Sequence, residues 1–278
     1  MFRVTNINVI KKRLSTLVYS LLLAHFALPA QAIVTDSAFD NRQQDDIGRI
    51  ALDYLLTHPE FFDTIEKMRQ NKIDAAEDKT LADQIKNRVL EHVKLVLNSG
   101  RAPYSGLPQS KIVIVQFFDY QCAACRNNSA VIQQAIDNNI SARIIFRDWT
   151  PKVTRQPNSN AETAASIGLT IWQDKGVKSY LQYRQGALST EYNAQEFAVE
   201  NIVQGLKAAS APVPTAAKMV AARKLLVNNA KLANQLGVTK LPLLIVLPSF
   251  AANQQNVSVL SGPITEKMLN DAVMLASK

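Results

Sequence analysis

The sequence IVIVQFFDYQCAAC, residues 112–125, places two cysteines directly after a predicted strand. Its first part, Ile112–Phe118, is a nearly continuous apolar and β-branched run, which is typical of a strand buried on both faces. Helical residues follow from Cys125 to about Asn138, and Arg143–Phe146 has the pattern of a second strand. Strand, helix and strand at this spacing predict a βαβ unit with parallel pairing and a right-handed crossover.

Cys122 and Cys125 are the only cysteines among the 278 residues. A scaffold held by disulfides joins distant segments through several bridges, so one close pair indicates chemistry or metal binding instead. Cys122 falls where a strand ends and a helix begins, and the unpaired N–H groups and peptide dipoles of a helix start stabilise an anion. We therefore expect Cys122 to be an acidified nucleophile and Cys125, one helical turn later, to resolve the mixed disulfide.

Metal binding by the pair has weaker support. A structural zinc site takes four Cys or His ligands, and the chain adds only His58 and His92 outside residues 1–32, neither with ligand spacing to the cysteines. The sequence therefore favours redox chemistry over zinc, and we predict no metal and no other cofactor. A Cu(I) ion held by the two thiolates stays open, because this soft ion accepts low coordination.

Residues 1–32 have the pattern of a secretory signal peptide. Basic residues at Arg3 and 11–13 precede an apolar run over 14–28, and small residues end the segment at Ala32. The alternative, a transmembrane anchor, is disfavoured because the run is short for a bilayer and polar residues interrupt it. We predict export with cleavage after Ala32.

The charge of the chain beyond Ala32 does not indicate a nucleic-acid partner. Four of the 31 basic residues and none of the 23 acidic residues lie in 1–32, which leaves 27 basic and 23 acidic residues, a net charge of +4. The basic residues are scattered along the chain, as is typical of a solvated surface.

Residues 33–103 predict an all-helical region. Helical spacing of apolar residues begins near 42, a second helix begins at Pro59, a charged and Ala-rich link follows, and a third helix covers about 79–98. Apolar residues occur on more than one helical face, and three helices of this size barely close a core. We expect this region to assemble a homo-oligomer, with docking on the following domain as the alternative.

Residues 104–278 predict an α/β domain. After the turn-rich stretch 104–108 and the βαβ unit, residues 150–212 combine helical patterns with loop-forming residues, which indicates a helical insertion. A helix over about 215–236 ends at Gly237, and strands follow at 243–247 and 257–260. A final helix begins near Ile264.

Two stretches resemble the DsbA-like thioredoxin-fold proteins of bacterial periplasms: FFDYQCAAC at 117–125 and GVTKLP at 237–242. The resemblance covers residues 104–278, with the insertion in the family's place. It implies a thioredoxin fold and a periplasmic thiol–disulfide oxidoreductase whose substrates are exported proteins with cysteines. A membrane redox partner that recycles the pair is expected with it.

The segment IALDYLLTHPE, residues 50–60, is similar to the amino-terminal helices of a subgroup that includes suppressor-of-copper-sensitivity type proteins. This resemblance implies a homo-oligomer, dimer or trimer, that isomerises or forms disulfide bonds through the Cys-Ala-Ala-Cys site. Linked sites raise the effective concentration toward one client protein. The alternative is a copper-handling or chaperone-like binding protein with this fold and no redox turnover.

The resemblance also implies a substrate-binding role for Leu241 and Pro242, with a cis bond at Pro242 that faces the cysteines. The alternative is an ordinary trans proline at the start of a strand.

Three departures from the family pattern concern the tuning of the cysteine pair. Ala123-Ala124 lacks the histidine of strongly oxidising relatives, Leu241 stands where Thr or Val is usual, and Gln116 stands where many relatives carry a buried carboxylate. Asp119 either tunes the thiols or belongs to a solvated strand end.

Overall fold

The computed structural model describes residues 39–98, 101–150, 159–189 and 197–278. The predicted signal peptide lies outside these residues. No helix in the described ranges is long and apolar enough to cross a membrane. The chain divides into two compact units between Arg69 and Gln70.

The first unit contains α1 (Asn41–Thr57) and the start of α2 (Glu60–Glu91). The Asp40 carboxylate accepts a hydrogen bond from the Gln43 backbone N–H at 2.8 Å, and the Gln43 side chain accepts one from the Asp40 N–H at 2.9 Å. This capping box satisfies two of the donors that a helix start leaves unpaired. Large apolar side chains of this unit are exposed: Ile47, Ile50, Leu52, Tyr54, Leu56, Phe61, Phe62, Ile65 and Met68.

The predicted link between the second and third helices is wrong, because α2 runs unbroken from Glu60 to Glu91. Its middle contains Ala, Glu and Lys, which are strong helix formers, and it lacks the Gly or Pro that would interrupt a helix. The third predicted helix does not reach 98 unbroken either. His92, with φ −118° and ψ 25°, separates α2 from the short α3 (Val93–Leu97).

Five strands of the second unit form one mixed sheet in the order β1-β3-β2-β4-β5. Its strands are β1 Tyr104–Ser105, β2 Ile112–Phe118, β3 Arg143–Asp148, β4 Leu243–Pro248 and β5 Ser258–Ser261. β2 and β3 are parallel and joined by α4 (Ala123–Asp137), which confirms the predicted βαβ unit. The other three strand pairs are antiparallel.

The turn-rich stretch predicted at 104–108 contains β1, which the sequence does not indicate. Tyr104 and Ser105 pair antiparallel with Ile145 and Ile144 at the edge of the sheet. Two residues are too few to show an alternating pattern, so the free edge of β3 defines this strand and the local sequence does not.

The remaining helices follow the predicted order. The insertion contains α5 (Asn160–Lys175), α6 (Val177–Ser189) and α7 (Val199–Ala208), and it is followed by α8 (Ala216–Leu236) and α9 (Glu266–Ala276). Thr215 caps α8 at its start, and Gly237 ends it with φ +71°, a left-handed conformation that favours glycine. Of the loop-forming stretches predicted at 150–151 and 157–160, residues 151, 157 and 158 lie outside the described residues, and Ser159 caps the start of α5.

The side chains of β2 alternate between two apolar layers. Val113, Val115 and Phe117 face one layer, and Ile112 and Ile114 face the other, as the alternation along a strand requires. The first layer contains Ile85, Val89, Val96, Leu232, Ala233 and Leu236 from α2, α3 and α8. The second contains Ile132, Tyr180, Leu269, Ala272 and Ala276 from α4, α6 and α9. The apolar face of the third predicted helix therefore docks within its own chain.

The insertion has a buried cluster of its own that reaches the end of β2. Phe118, Tyr120 and Cys125 belong to it together with residues of α5–α8. α6 and α7 approach closely, because a Cβ atom built on Gly205 would lie 2.8 Å from the Tyr183 ring and 2.9 Å from the Tyr183 carbonyl oxygen.

We expect Gly205→Ala to destabilise the protein by about 1–3 kcal/mol, because the added methyl overpacks the contact between α6 and α7. Gly48→Ala is the matched control, since a Cβ there meets nothing within 4 Å. The control should leave stability unchanged or raise it slightly through helix propensity. Chemical denaturation followed by circular dichroism measures both variants, and equal stability of Gly205→Ala and wild type would contradict the packing argument.

Candidate active site

Cys122 and Cys125 form a disulfide at the start of α4. Cys122 is the N-cap residue, and its Sγ accepts a hydrogen bond from the Cys125 backbone N–H at 3.1 Å. Cys122 is half-buried, whereas Cys125 is 0% exposed. The two cysteines are therefore unequal: Cys122 is the more exposed residue, and its sulfur is the one that accepts a donor at the helix start.

Asp119 shapes the turn that leads to the pair. Its backbone oxygen accepts from the Cys122 N–H at 3.1 Å, and its Oδ1 accepts from the Gln121 N–H at 3.1 Å. Asp119 is 7% exposed, so the solvated strand end is the wrong one of the two alternatives. Its tuning of the thiols stays a prediction.

The Leu241–Pro242 peptide bond is cis, as the resemblance implies. Leu243 of β4 lies opposite Phe117 of β2. Leu241 and Pro242 therefore lie at the end of the sheet where β2 leads into the cysteine turn. Leu241 and Cys122 pack against the same buried cluster. The structure thus brings together the predicted catalytic and substrate-binding residues.

Gln116 is 0% exposed and binds a buried arginine. Arg184 of α6 donates through Nη2 to Gln116 Oε1 at 2.7 Å and to Ser129 Oγ at 2.8 Å, and Ser129 Oγ donates to the Cys125 carbonyl oxygen at 2.8 Å. The guanidinium carbon of Arg184 lies 4.3 Å from the centroid of the Phe118 ring, within the range of a cation–π contact. A positive group thus lies behind α4, two hydrogen bonds from Cys125.

Asp148, at the end of β3, is a second buried ionisable group that the sequence does not indicate. Tyr180 donates its hydroxyl to Asp148 Oδ1 at 2.6 Å. Burial raises the pKa of Asp148 to about 7, against the lowering effects of the Tyr180 hydrogen bond and the Arg184 charge, and Asp119 adds a smaller raising effect. Burial also raises the pKa of Tyr180 well above its ordinary value, so this hydroxyl stays a donor.

Arg184 and Asp148 were missed because nothing local distinguishes them. Arg184 is one of many basic residues at helical spacing, and Asp148 follows the apolar part of its strand. Beyond Ala32 the chain has two histidines, both in helical segments. His58 stacks on Tyr54 with ring centroids 4.1 Å apart, and His92 precedes α3. Among the described residues, no group of three or more His, Cys, Asp or Glu side chains is placed to hold a metal ion.

The raised pKa of Asp148 predicts a pH dependence of stability. Between pH about 4, the ordinary pKa of Asp, and about 7, the native carboxyl holds a proton that the unfolded chain releases. The free energy of unfolding should therefore fall as pH rises through this window, by at most about 1.4 kcal/mol per pH unit, and level off above it.

The difference between wild type and Asp148→Asn in urea titrations at several pH values measures this contribution. Asp148→Asn should remove the decline, whereas Asp271→Asn, at an exposed ion pair with Lys267, should retain it. A variant Asp148→Asn with the wild-type slope would show that Asp148 is ionised in the folded protein throughout this range.

No family model and no curated protein matches the sequence. Solved structures do match it. BcfH from Salmonella enterica Typhimurium has 23% identity and a TM-score of 0.60, and the match covers 85% of this chain and 97% of BcfH. The catalytic domain of Proteus mirabilis ScsC has 17% identity and a TM-score of 0.55, with coverage of 69% and 99%.

The thiol-disulfide exchange protein alpha-DsbA2 from Wolbachia pipientis has 22% identity and a TM-score of 0.54, with coverage of 72% of this chain and 97% of that protein. At these identities the likeness concerns the fold. The chain has a thioredoxin-like fold with a helical insertion and preceding helices.

Proposed function

We propose that the protein is a periplasmic thiol–disulfide oxidoreductase that forms or isomerises disulfide bonds in exported proteins. The inequality of the two cysteines carries this proposal: Cys122 is half-buried and caps α4, whereas Cys125 is fully buried. Cys122 is then the nucleophile and Cys125 the resolving thiol. A purely structural disulfide needs no such difference between its two sulfurs.

The reaction follows from this geometry. In the oxidising direction a substrate thiolate attacks Cys122 Sγ, the Cys122–Cys125 bond breaks, and Cys125 leaves as a thiolate that takes up a proton. A second substrate thiolate attacks the substrate sulfur of the mixed disulfide, and Cys122 leaves as a thiolate. The substrate loses two electrons and the pair gains them. The donors at the start of α4 stabilise the Cys122 thiolate and make it a good leaving group.

Leu241 and Pro242 would bind the substrate backbone beside the pair. Leu241 precedes the first residue of β4 and lies at the same end of the sheet as Cys122. An extended peptide that pairs with the backbone at this point presents its cysteine to Cys122 with little demand on its other side chains. Such binding suits an enzyme with many exported clients.

The cellular setting rests on the predicted signal peptide and on the related structures. One match is described as a periplasmic thioredoxin-like protein from Salmonella enterica serovar Typhimurium, with 18% identity and a TM-score of 0.52. A membrane partner that recycles the pair belongs to this proposal.

The buried Arg184 beside Gln116 favours negative charge near the pair. This charge offsets part of the stabilisation that strongly oxidising relatives obtain from a histidine where this chain has Ala123-Ala124.

The exposed apolar side chains of α1 and the start of α2 support self-association. Ile50, Leu56 and Phe62 are each more than half exposed, and such patches mark interaction sites. A homo-oligomer would bury them against a second copy of the chain, and it would hold several catalytic sites near one client protein. This arrangement favours isomerisation, since a second catalytic site can act on the disulfides of the same misfolded client protein.

The two cysteine variants test the catalytic assignment. Cys122→Ser should abolish exchange, because the nucleophilic sulfur is lost. Cys125→Ser should retain attack but lose resolution, so mixed disulfides with exported proteins should accumulate on non-reducing gels of periplasmic extracts. The double variant is the control and should trap none. Full activity of Cys122→Ser would refute the proposal.

Charged substitutions test the self-association. Ile50→Glu combined with Phe62→Glu should convert the oligomer to monomer, because burying two unpaired carboxylates at an interface is costly. Phe250→Glu is the control, since Phe250 is 88% exposed on the second unit and should leave the assembly intact. Sedimentation velocity gives the subunit number of each, and a monomeric wild type would contradict the assembly.

A further inference from the structure

Asn128 is a buried amide one helical turn beyond Cys125. It is 0% exposed, and both ends of its side chain are bound. Its Nδ2 donates to the Gly262 carbonyl oxygen at 2.9 Å, and its Oδ1 accepts from the Ile264 backbone N–H at 3.0 Å. α4 is thus fastened by two directed bonds to the segment between β5 and α9.

That segment also binds the other half of the site. The Gly262 N–H donates to the Pro242 carbonyl oxygen at 3.0 Å, while the Gly262 carbonyl oxygen accepts from Asn128. Gly262 has φ +77°, a left-handed conformation that glycine adopts at little cost. One residue therefore connects the helix of the cysteine pair to the Leu241–Pro242 segment.

α4 has a further directed contact in this region, the Arg184–Ser129 hydrogen bond, which joins it to α6. Its apolar contacts lack such direction. Ile132 packs in the apolar layer beneath the sheet and Cys125 in the cluster of the insertion. Apolar contacts stabilise burial but permit small shifts, whereas hydrogen bonds fix distance and orientation. A buried amide whose donor and acceptor are both used is also costly to displace.

We infer that Asn128 is a positioning residue that sets the placement of Cys122 relative to the substrate-binding segment at Leu241–Pro242. The inference rests on the proposed function. It assigns Asn128 no contact with substrate and no proton transfer. Its effect is on substrates that bind at both places, because only these require the two parts of the site to be in register.

Two substrates separate this role from a general loss of structure. A small thiol, dithiothreitol, reaches Cys122 without using Leu241–Pro242, whereas a cysteine-containing peptide uses both. Asn128→Leu removes both hydrogen bonds, and Asn128→Asp retains the acceptor for Ile264 while it replaces the donor to Gly262 with an oxygen. The full chain after cleavage of the signal peptide, in its oxidised form, is mixed with each reductant, and kcat/KM for the peptide is compared with the second-order rate constant for dithiothreitol.

We expect both variants to react with dithiothreitol within about twofold of wild type and with the peptide about tenfold more slowly, since small misplacements of a reacting pair cost this much or more. The matched control is Asn201→Leu, at a buried asparagine of α7 that donates to the Ala187 carbonyl oxygen at 3.1 Å. It should lower stability without changing the ratio of the two rates.

The inference is overturned if both rates fall together in the Asn128 variants, or if the ratio is unchanged. Should Asn128→Leu fail to fold, Asn128→Asp gives the same comparison on its own. Failure of the wild-type protein to react with dithiothreitol would instead overturn the proposed function, so the two failures are distinguishable.

Discussion

The pairing of β2 with β3 on one side and with β4 on the other fixes how the two halves of the candidate site come together. Because β2 and β4 are antiparallel, the C-terminal end of β2 and the N-terminal end of β4 lie side by side at one end of the sheet. The cysteine turn and Leu241–Pro242 are therefore neighbours although more than one hundred residues separate them in the chain. The same pairing buries both faces of β2, so its alternating side chains hold helices on each side.

The proposed chemistry of the cysteine pair involves buried groups near α4 as well as the start of that helix. Gln116 binds the guanidinium of Arg184 near α4. A carboxylate at position 116 would instead place a negative charge there, which disfavours a nearby thiolate. Asp148 lies in the same interior with its own donor, Tyr180, and burial brings its pKa to about 7. Burying an ionisable group is costly unless it is paired, and Arg184 and Asp148 each have a hydrogen-bond partner in this interior.

The amino-terminal helices combine two different situations. The later part of α2 and the short α3 contribute Ile85, Val89 and Val96 to the core of the second unit. Burial of these side chains helps to stabilise the thioredoxin-like fold. The first unit leaves its apolar side chains exposed. A continuous α2 thus carries buried apolar residues near its end and exposed apolar residues near its start, and the sequence pattern alone does not separate the two.

Local sequence patterns predict the elements with a clear hydrophobic period and the position of the cysteine pair. The apolar run of β2, the helix ended by Gly237 and the cysteines at a strand–helix junction depend on residues close together in the chain, where local sterics and burial decide the conformation. The polar groups that the fold buries beside these elements follow from tertiary contacts. Arg184 meets Gln116, Asn128 meets Gly262, and β1 forms on the edge of β3. These are contacts between distant segments, and their energies come from partners that a local pattern does not specify.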